Sequence, residues 1–353
     1  VSPIRVLVVD DSVVVRRIVS ESLASDPAIE VVGVAQNGSI ALTKVAALKP
    51  DLITMDIEMP VMNGIETVRA LRRSGVRTPI VMFSTLTSHG ASATLDALAS
   101  GASDYATKPT QVANPAEAIR VITSQLIPKV KALCGAPVVA AGSVRTRPAS
   151  ASARPPRAVV IGSSTGGPEA LSKVFGALAA PLPVPVVLVQ HMPPMFTTQL
   201  AARLDRIGPS RVVEAAGNER LVPGTVYVAP GDMHLEVKQA GNAIITSLNK
   251  GPQVNFCRPA VDVLFRSAVK VYGGDLLGVM LTGMGSDGRD ATRGLVDAGG
   301  RMIAQDQATS VVWGMPGAVA GAGLAHEILP LDAIAPALVR ATQGRTAGKE
   351  AVA

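Results

Sequence analysis

The sequence predicts an α/β protein built from two doubly wound parallel-sheet domains. Three observations carry this. Short apolar runs of strand type alternate with helical patterns in both halves of the chain. The polar residues able to do chemistry fall where those runs end. A stretch rich in Pro, Ala, Ser and Arg divides the two halves. At 353 residues the chain is long for a single core, and 48% apolar residues punctuated by 33 Gly and 26 Pro fit a soluble globular α/β protein.

In the first half, Ile4–Val9 reads as a strand ending at Asp10-Asp11-Ser12, with Ser12 an N-cap for a helix over Val13–Leu23. Ile29–Ala35 is a second strand, followed by a helix (Ser39–Leu48) that must stop before Pro50. Leu52–Met55 ends at Asp56, Ile80–Phe83 at Ser84, and Tyr105–Thr107 at Lys108-Pro109. Asp10, Asp11, Asp56, Ser84 and Lys108 therefore gather at the carboxyl ends of the strands, where such sheets place their sites. Converging carboxylates repel one another unless a cation sits among them, and a set of hard oxygen ligands suits Mg²⁺. One carboxylate can then accept a phosphoryl group, with a hydroxyl and an ammonium to meet its oxygens. A single Asp in such a place would read as a helix cap; the set does not.

Residues 127–156 lose periodicity and read as a flexible basic linker. Between Glu117 and Glu169 there is no acid, yet Arg120, Lys129, Lys131, Arg145, Arg147, Arg154 and Arg157 occur, more than the whole net charge of +6. With the excess confined there and aromatics at 3%, nucleic acid is not an expected partner. No apolar run approaches a membrane span, so a cytoplasmic protein without membrane insertion is expected. Cys134 and Cys257 have no metal-like spacing; Cys257 beside Arg258 reads as packed and inert before it reads as an acidified thiol.

In the second half an apolar run (Ala158–Ile161) empties into Ile161-Gly-Ser-Ser-Thr-Gly-Gly167 ahead of a helix beginning near Pro168. Such a turn suits either a bound phosphate or a nucleophile. Val186–Val189 ends at Gln190-His191, one βαβ unit later, and Leu276–Leu281 ends at Thr282 through Gly288, with a helix from about Asp290. Ser163-Ser164, His191 and Asp287 thus leave three strand ends of one sheet, the placement that nucleophilic hydrolysis needs. Each also has a plainer reading: a phosphate loop, a structural histidine, a helix cap. Tyr227 through Leu248, with a turn at Gly241-Asn242, reads as a β-hairpin added antiparallel to the main sheet. His89, His234 and His326 show no metal-ligand spacing.

Residues 4–126 resemble a response-regulator receiver domain through Asp-Asp-Ser at 10–12, Met55-Asp56, Met59-Pro60, Asn63-Gly64, Ser84 and Lys108-Pro109. The resemblance implies a flavodoxin-like order of strands and phosphorylation of Asp56 by a histidine kinase. It also implies Mg²⁺ held by Asp10, Asp11, Asp56 and the backbone of Glu58, a phosphate read by Ser84 and Lys108, Tyr105 as an aromatic switch, and a cis bond before Pro109.

Residues 157–345 resemble the catalytic domain of chemotaxis protein-glutamate methylesterases. The matching stretches are Ile161–Gly167, Gln190–Pro194, Ala229–Asp232, Arg258–Asp262, Leu281–Gly288 and Gly314–Pro316. This resemblance implies a Rossmann-like fold, Ser164 as nucleophile, His191 as general base, Asp287 as its orienting acid, an oxyanion N–H from Met284, and Thr165 flanking the site. No cofactor is expected there. It further implies a receiver domain (1–126) that covers the catalytic domain (157–345) until phosphorylated, a disordered tail (346–353), a monomer, and methyl-accepting chemotaxis receptors as substrate. The competing expectation is a receiver joined to a nucleotide-binding Rossmann module without hydrolase activity.

Overall fold

The computed structural model describes residues 2–108, 114–135 and 155–343. The chain divides into two compact units, Val1–Ala141 and Gly142–Ala353.

The first unit runs β1 (Ile4–Val9), α1 (Val13–Ala24), β2 (Ile29–Ala35), α2 (Gly38–Leu48), β3 (Leu52–Asp56), α3 (Gly64–Arg73), β4 (Ile80–Ser84), α4 (Ser88–Ala99), β5 (Asp104–Thr107) and α5 (Pro115–Cys134). Its five strands are all parallel, in the order β2-β1-β3-β4-β5, the flavodoxin-like arrangement. The inner strands β3 and β4 are buried throughout because helices cover both faces, while the edge strand β2 is partly exposed. Helix starts are set by the side chains that can cap them: Ser12 accepts from the Val15 N–H, and Asn63 forms a reciprocal capping box with Glu66.

The linker boundary needs correction: α5 continues past residue 126 to Cys134, through Pro128. Proline disfavours a helix interior, but Leu126 and Val130, four apart on one face, are fully buried with Val19 and Leu23. Tertiary burial overrides the local preference. The peptide before Pro109 and the tail at 346–353 lie outside the described residues.

The second unit runs β6 (Ala158–Ser163), α6 (Gly167–Gly176), β7 (Val186–Gln190), α7 (Phe196–Ile207), β8 (Arg211–Glu214), β9 (Thr225–Val228), β10 (His234–Ala240), β11 (Ala243–Asn249), α8 (Val261–Tyr272), β12 (Leu276–Met280), α9 (Arg289–Asp297), β13 (Arg301–Gln305), α10 (Met315–Gly321), β14 (Glu327–Leu329) and α11 (Leu331–Gln343). Seven parallel strands form one sheet in the order β14-β13-β12-β6-β7-β9-β8. The hairpin does not extend this sheet. Tyr227 and Val228 belong to parallel β9, while β10 and β11 pair only with each other as strands. The cause is packing: Leu235 and Val237 of β10 are buried in one cluster with Leu264, Phe265 and Ala268 of α8, and the Val237 N–H donates to Ser267 Oγ at 3.0 Å.

In both sheets the strand order reverses beside one strand, β1 in the first and β6 in the second. The crevice beyond that reversal is where open α/β sheets bind their ligands.

Candidate functional site

In the first unit the reversal lies between β1 and β3, which end at Asp10 and Asp56. Asp10, Asp11 and Asp56 each place a carboxylate oxygen within 4.8 Å of the others. Lys108 Nζ joins Asp56 Oδ2 at 2.8 Å and Asp10 Oδ2 at 3.1 Å. The second contact is an ion pair without hydrogen-bond geometry, so the buried Asp10 Oδ2 keeps a lone pair that no described group satisfies. A donor set made only of carboxylate oxygens, one of them an orphan, fits a hard divalent cation such as Mg²⁺. Burial pushes the Asp56 carboxyl up to about 6, with Lys108 opposing and Asp10 adding to the rise.

Asp11, Asp56, Glu58, Ser84 and Lys108 line a pocket of about 270 Å³, wide enough for a phosphoryl group and its ion. The Ser84 hydroxyl is spent on Gly90 O at 3.0 Å, so it must rotate to meet a phosphate. Tyr105 is buried, with the Lys129 ammonium 5.4 Å from its ring centre. Gly64 is required for a steric reason: a Cβ there would lie 2.1 Å from Asp56 O.

In the second unit β6 is flanked by β7 and β12, with Ser163 paired to Gln190 and Gly162 to Met280. The segments leaving these three strands carry Ser164, His191 and Asp287. The two serines have opposite fates. Ser163 is fully buried and donates to Gln190 Oε1 at 2.7 Å. Ser164 is half-buried, and no hydrogen bond engages its hydroxyl among the described residues. Its backbone is clamped instead: its N–H donates to Thr282 O at 3.0 Å and its carbonyl accepts from Gln190 Nε2 at 2.9 Å. Thr282 Oγ1 donates to Thr165 O at 2.9 Å, tying the turn after β6 to the end of β12. Gly166 turns with φ +77°, where a Cβ would lie 2.6 Å from Val311.

His191 Nε2 lies 2.8 Å from Asp287 Oδ2. Asp287 also accepts the N–H groups of Val261 (2.6 Å) and Asp262 (3.2 Å) and the Asn255 amide at 2.9 Å. Burial alone would raise this carboxyl, but His191, Asn255 and the Val261 N–H hold it below the usual carboxylate range. Burial likewise works against a charged imidazole, yet Asp287 and Cys257 prevail and push His191 up to about 9. The carboxylate holds the ring through Nε2, and the thiol of Cys257 lies 3.6 Å from Nδ1. Met284 comes directly after Gly283, and among the described residues no acceptor takes its N–H. A Cβ on Gly283 would come within 2.9 Å of Ser164 Cβ, so the Met284 peptide adjoins a residue packed against the Ser164 side chain. A carboxylate-oriented imidazole, an unengaged hydroxyl and a spare N–H can together support acyl transfer.

Three contacts of this site go beyond the roles expected from the sequence, although Asp232, Cys257 and Arg258 themselves are singled out there. Asn255 supplies an amide to Asp287, Cys257 places Sγ 3.6 Å from His191 Nδ1, and Arg258 pairs with Asp232 at 3.0 Å. Asn255 and Phe256 both have positive φ (52° and 62°). For an exposed Phe that backbone is strained, and it delivers its two neighbours to the His–Asp pair. Cys257, read as inert, lies against the His191 ring. The remaining histidines of this unit have structural partners: His234 Nε2 meets Pro252 O at 2.9 Å, and His326 Nδ1 accepts the Met302 N–H at 3.0 Å.

The family profile described as CheB methylesterase matches residues 159–338, and that of the response regulator receiver domain matches residues 6–120. A protein-glutamate methylesterase/protein-glutamine glutaminase of Nocardioides sp. is 56% identical over 351 residues, covering 96% of this chain and 95% of its own. Its namesake from Trichodesmium erythraeum is 45% identical, covering 95% and 98%. Among solved structures, the Thermotoga maritima CheB methylesterase catalytic domain is 43% identical over 52% of this chain and 97% of its own, with a TM-score of 0.51.

Proposed function

The chain belongs to the CheB methylesterase family and carries a response regulator receiver domain, and from this premise we propose that Ser164, His191 and Asp287 form its hydrolytic group. The protein is a protein-glutamate methylesterase/protein-glutamine glutaminase acting in chemotaxis adaptation. Its substrates are glutamate methyl esters and glutamines on methyl-accepting chemotaxis receptors.

Ser164 Oγ attacks the side-chain carbonyl carbon while His191 Nδ1 takes its proton. Asp287 holds the ring through Nε2 and balances the imidazolium that forms. The Met284 N–H meets the oxyanion, with Thr165 beside it. Collapse of the tetrahedral intermediate expels methanol, its oxygen protonated by His191. Water, deprotonated by the same imidazole, then frees the glutamate carboxylate from Ser164. A glutamine takes the same course with ammonia as the leaving group. The observation that carries this reading is the 2.8 Å His191–Asp287 pair, on a turn whose His191 N–H donates to the carbonyl of Ser163, next to a serine whose hydroxyl is unengaged. A nucleotide-binding module has no use for that pair.

In the receiver, Asp56 accepts a phosphoryl group from a histidine kinase, and the crevice of Asp10, Asp11 and Asp56 with the Glu58 backbone would hold Mg²⁺. That ion, when bound, neutralises charge on the transferring group. Lys108 pairs with the new phosphate after Ser84 rotates, and Tyr105 responds to that shift. We read the receiver as a cover that phosphorylation releases, in a monomer working in the cytoplasm. Among the described residues no helix is long and apolar enough to cross a membrane. The test is methanol release from methylated receptor membranes, with and without a small acyl-phosphate donor. Donor-stimulated release that vanishes in Ser164→Ala supports the reading; release that survives in Ser164→Ala refutes it.

A further inference from the structure

Cys257 makes or breaks no bond in the hydrolysis proposed above, yet it lies against His191. Its Sγ is 3.6 Å from His191 Nδ1, while Nε2 of the same ring is committed to Asp287 at 2.8 Å. Nδ1 is therefore the one ring nitrogen left to take the proton of Ser164. A thiol stands at the place where that proton must arrive.

We propose that Cys257 is a positioning residue for His191 and a modification site, at which capture of the sulfur by a small soft electrophile silences the esterase. This rests on His191 being the general base. The other charged groups nearby are already committed. Asp287 faces Nε2 and shares its charge with Asn255 and the first N–H groups of α8. Asp262 is turned to the Ala291 N–H and to Arg266. Arg258, adjacent to Cys257 in sequence, is paired with Asp232. The imidazole, rather than Arg258, is the cationic partner available to the sulfur.

The 3.6 Å contact gives the sulfur of Cys257 a base in place to receive a proton as it attacks. The second cysteine is an internal contrast: Cys134 lies near Asp51 O at 3.4 Å, and burial with the Asp51 charge pushes its thiol up to about 11. Cys257 is half-buried and open to a small reagent. With iodoacetamide the balance is simple. The thiol proton passes to Nδ1, the sulfur forms a bond to the methylene carbon, the C–I bond breaks, and iodide leaves with its electron pair. The carbamidomethyl group then stands beside Nδ1, where the serine proton has to land.

The experiment treats the full-length protein with iodoacetamide and tracks each cysteine by peptide mass mapping alongside methanol release. Cys257 is expected to react at least tenfold faster than Cys134, with esterase activity falling at least tenfold as its modification reaches one per chain. His191→Gln should slow the reaction at Cys257 at least tenfold. In Cys257→Ala the remaining activity should be insensitive to the reagent, and its rise with pH should begin at lower pH because the imidazole has lost a partner; Cys257→Ser should fall between. An alkylation rate unchanged in His191→Gln, or full activity in protein stoichiometrically alkylated at Cys257, overturns the proposal. The alkylation rate does not require turnover. If Ser164→Ala were active while that rate still depended on His191, the hydrolytic assignment would fall and the thiol–imidazole pair would stand.

Discussion

Asp287 and Asp262 cap each other's helices. Asp287, just ahead of α9, accepts the Val261 and Asp262 N–H groups that open α8, while Asp262 accepts the Ala291 N–H of α9 at 2.8 Å. Neither helix has a side-chain cap of its own, since Ala260 and Gly288 occupy those positions. The two carboxylates are close enough to interact: Asp262 is raised above its ordinary range, first by burial and further by the charge of Asp287. Asp287 is thereby built into the joint between two helices, and its position is set by the backbone as well as by His191.

Separate substitutions at the two acids should pull catalysis and stability apart. Asp287→Asn keeps most of the cap but cannot hold an imidazolium, so kcat should fall about 10⁴-fold with a stability loss of about 1 kcal/mol. Asp262→Ala should cost about 1–2 kcal/mol while lowering kcat far less. Urea denaturation of each variant beside its methanol-release kinetics checks both. Equal loss of activity in the two would refute the division.

Ser164→Ala should lower ester hydrolysis by at least about 10⁴-fold and leave Asp56 phosphorylation intact. Ser163→Ala keeps the nucleophile but strips Gln190 Oε1 of a buried donor, which costs about 1–2 kcal/mol and should change kcat less than tenfold. Measured melting temperatures and kcat for the pair decide it. A dead Ser163→Ala beside an active Ser164→Ala would reverse the assignment.

The rate should depend on pH with a fixed sign. The base works as neutral imidazole, and with His191 pushed up to about 9, kcat/KM should rise with pH through a limb above the ordinary histidine value of about 6.5. The stability contribution has the opposite trend. A raised folded-state pKa gives stability that is fully present below about 6.5 and lost as pH rises toward 9. A pH–rate profile and denaturation curves across that window test the two trends together. A flat stability and a rate limb at or below 6.5 would contradict them.

Removing divalent metal should act on one half of the molecule only. Chelation with EDTA is expected to stop acyl-phosphate labelling of Asp56 and donor-stimulated methanol release, while a chain lacking residues 1–150 keeps its hydrolysis. That truncated chain should also exceed the basal rate of the unphosphorylated whole protein. A truncated chain no faster than the whole would remove the cover from the reading.

Much of the fold was legible because its signals are local. Ile4–Val9 and Ile29–Ala35 are strands rich in Val and Ile, Ser12 caps the helix after it, and the strand ends at Asp56, Ser84 and Gln190-His191 show as polar residues after apolar runs. The parts that escaped depend on contacts distant in sequence. Helix α5 outlasts Pro128 because Val130 meets a core formed by α1, far away in the chain. The hairpin leaves the sheet because α8 offers Leu235 and Val237 a better surface. Asn255 and Cys257 reach the site through two left-handed residues, one of them a Phe that has no intrinsic preference for that turn. Within Ser163-Ser164 no local rule tells which hydroxyl is buried and bonded; the packing against Gln190 does.

Strand β6 is hydrogen-bonded along both edges, to β7 and to β12. Because neighbouring strand residues face opposite ways, moving β6 by a single residue would put Ser164 in the place of Ser163, or Ser163 in the place of Ser164. Such a slip would have to break two ladders together. Which serine stands at the turn is thus a property of the whole sheet. An insertion or deletion within Ala158–Ser163 should abolish activity even if it leaves Gly-Ser-Ser-Thr-Gly-Gly untouched, whereas the same change in a surface loop need not.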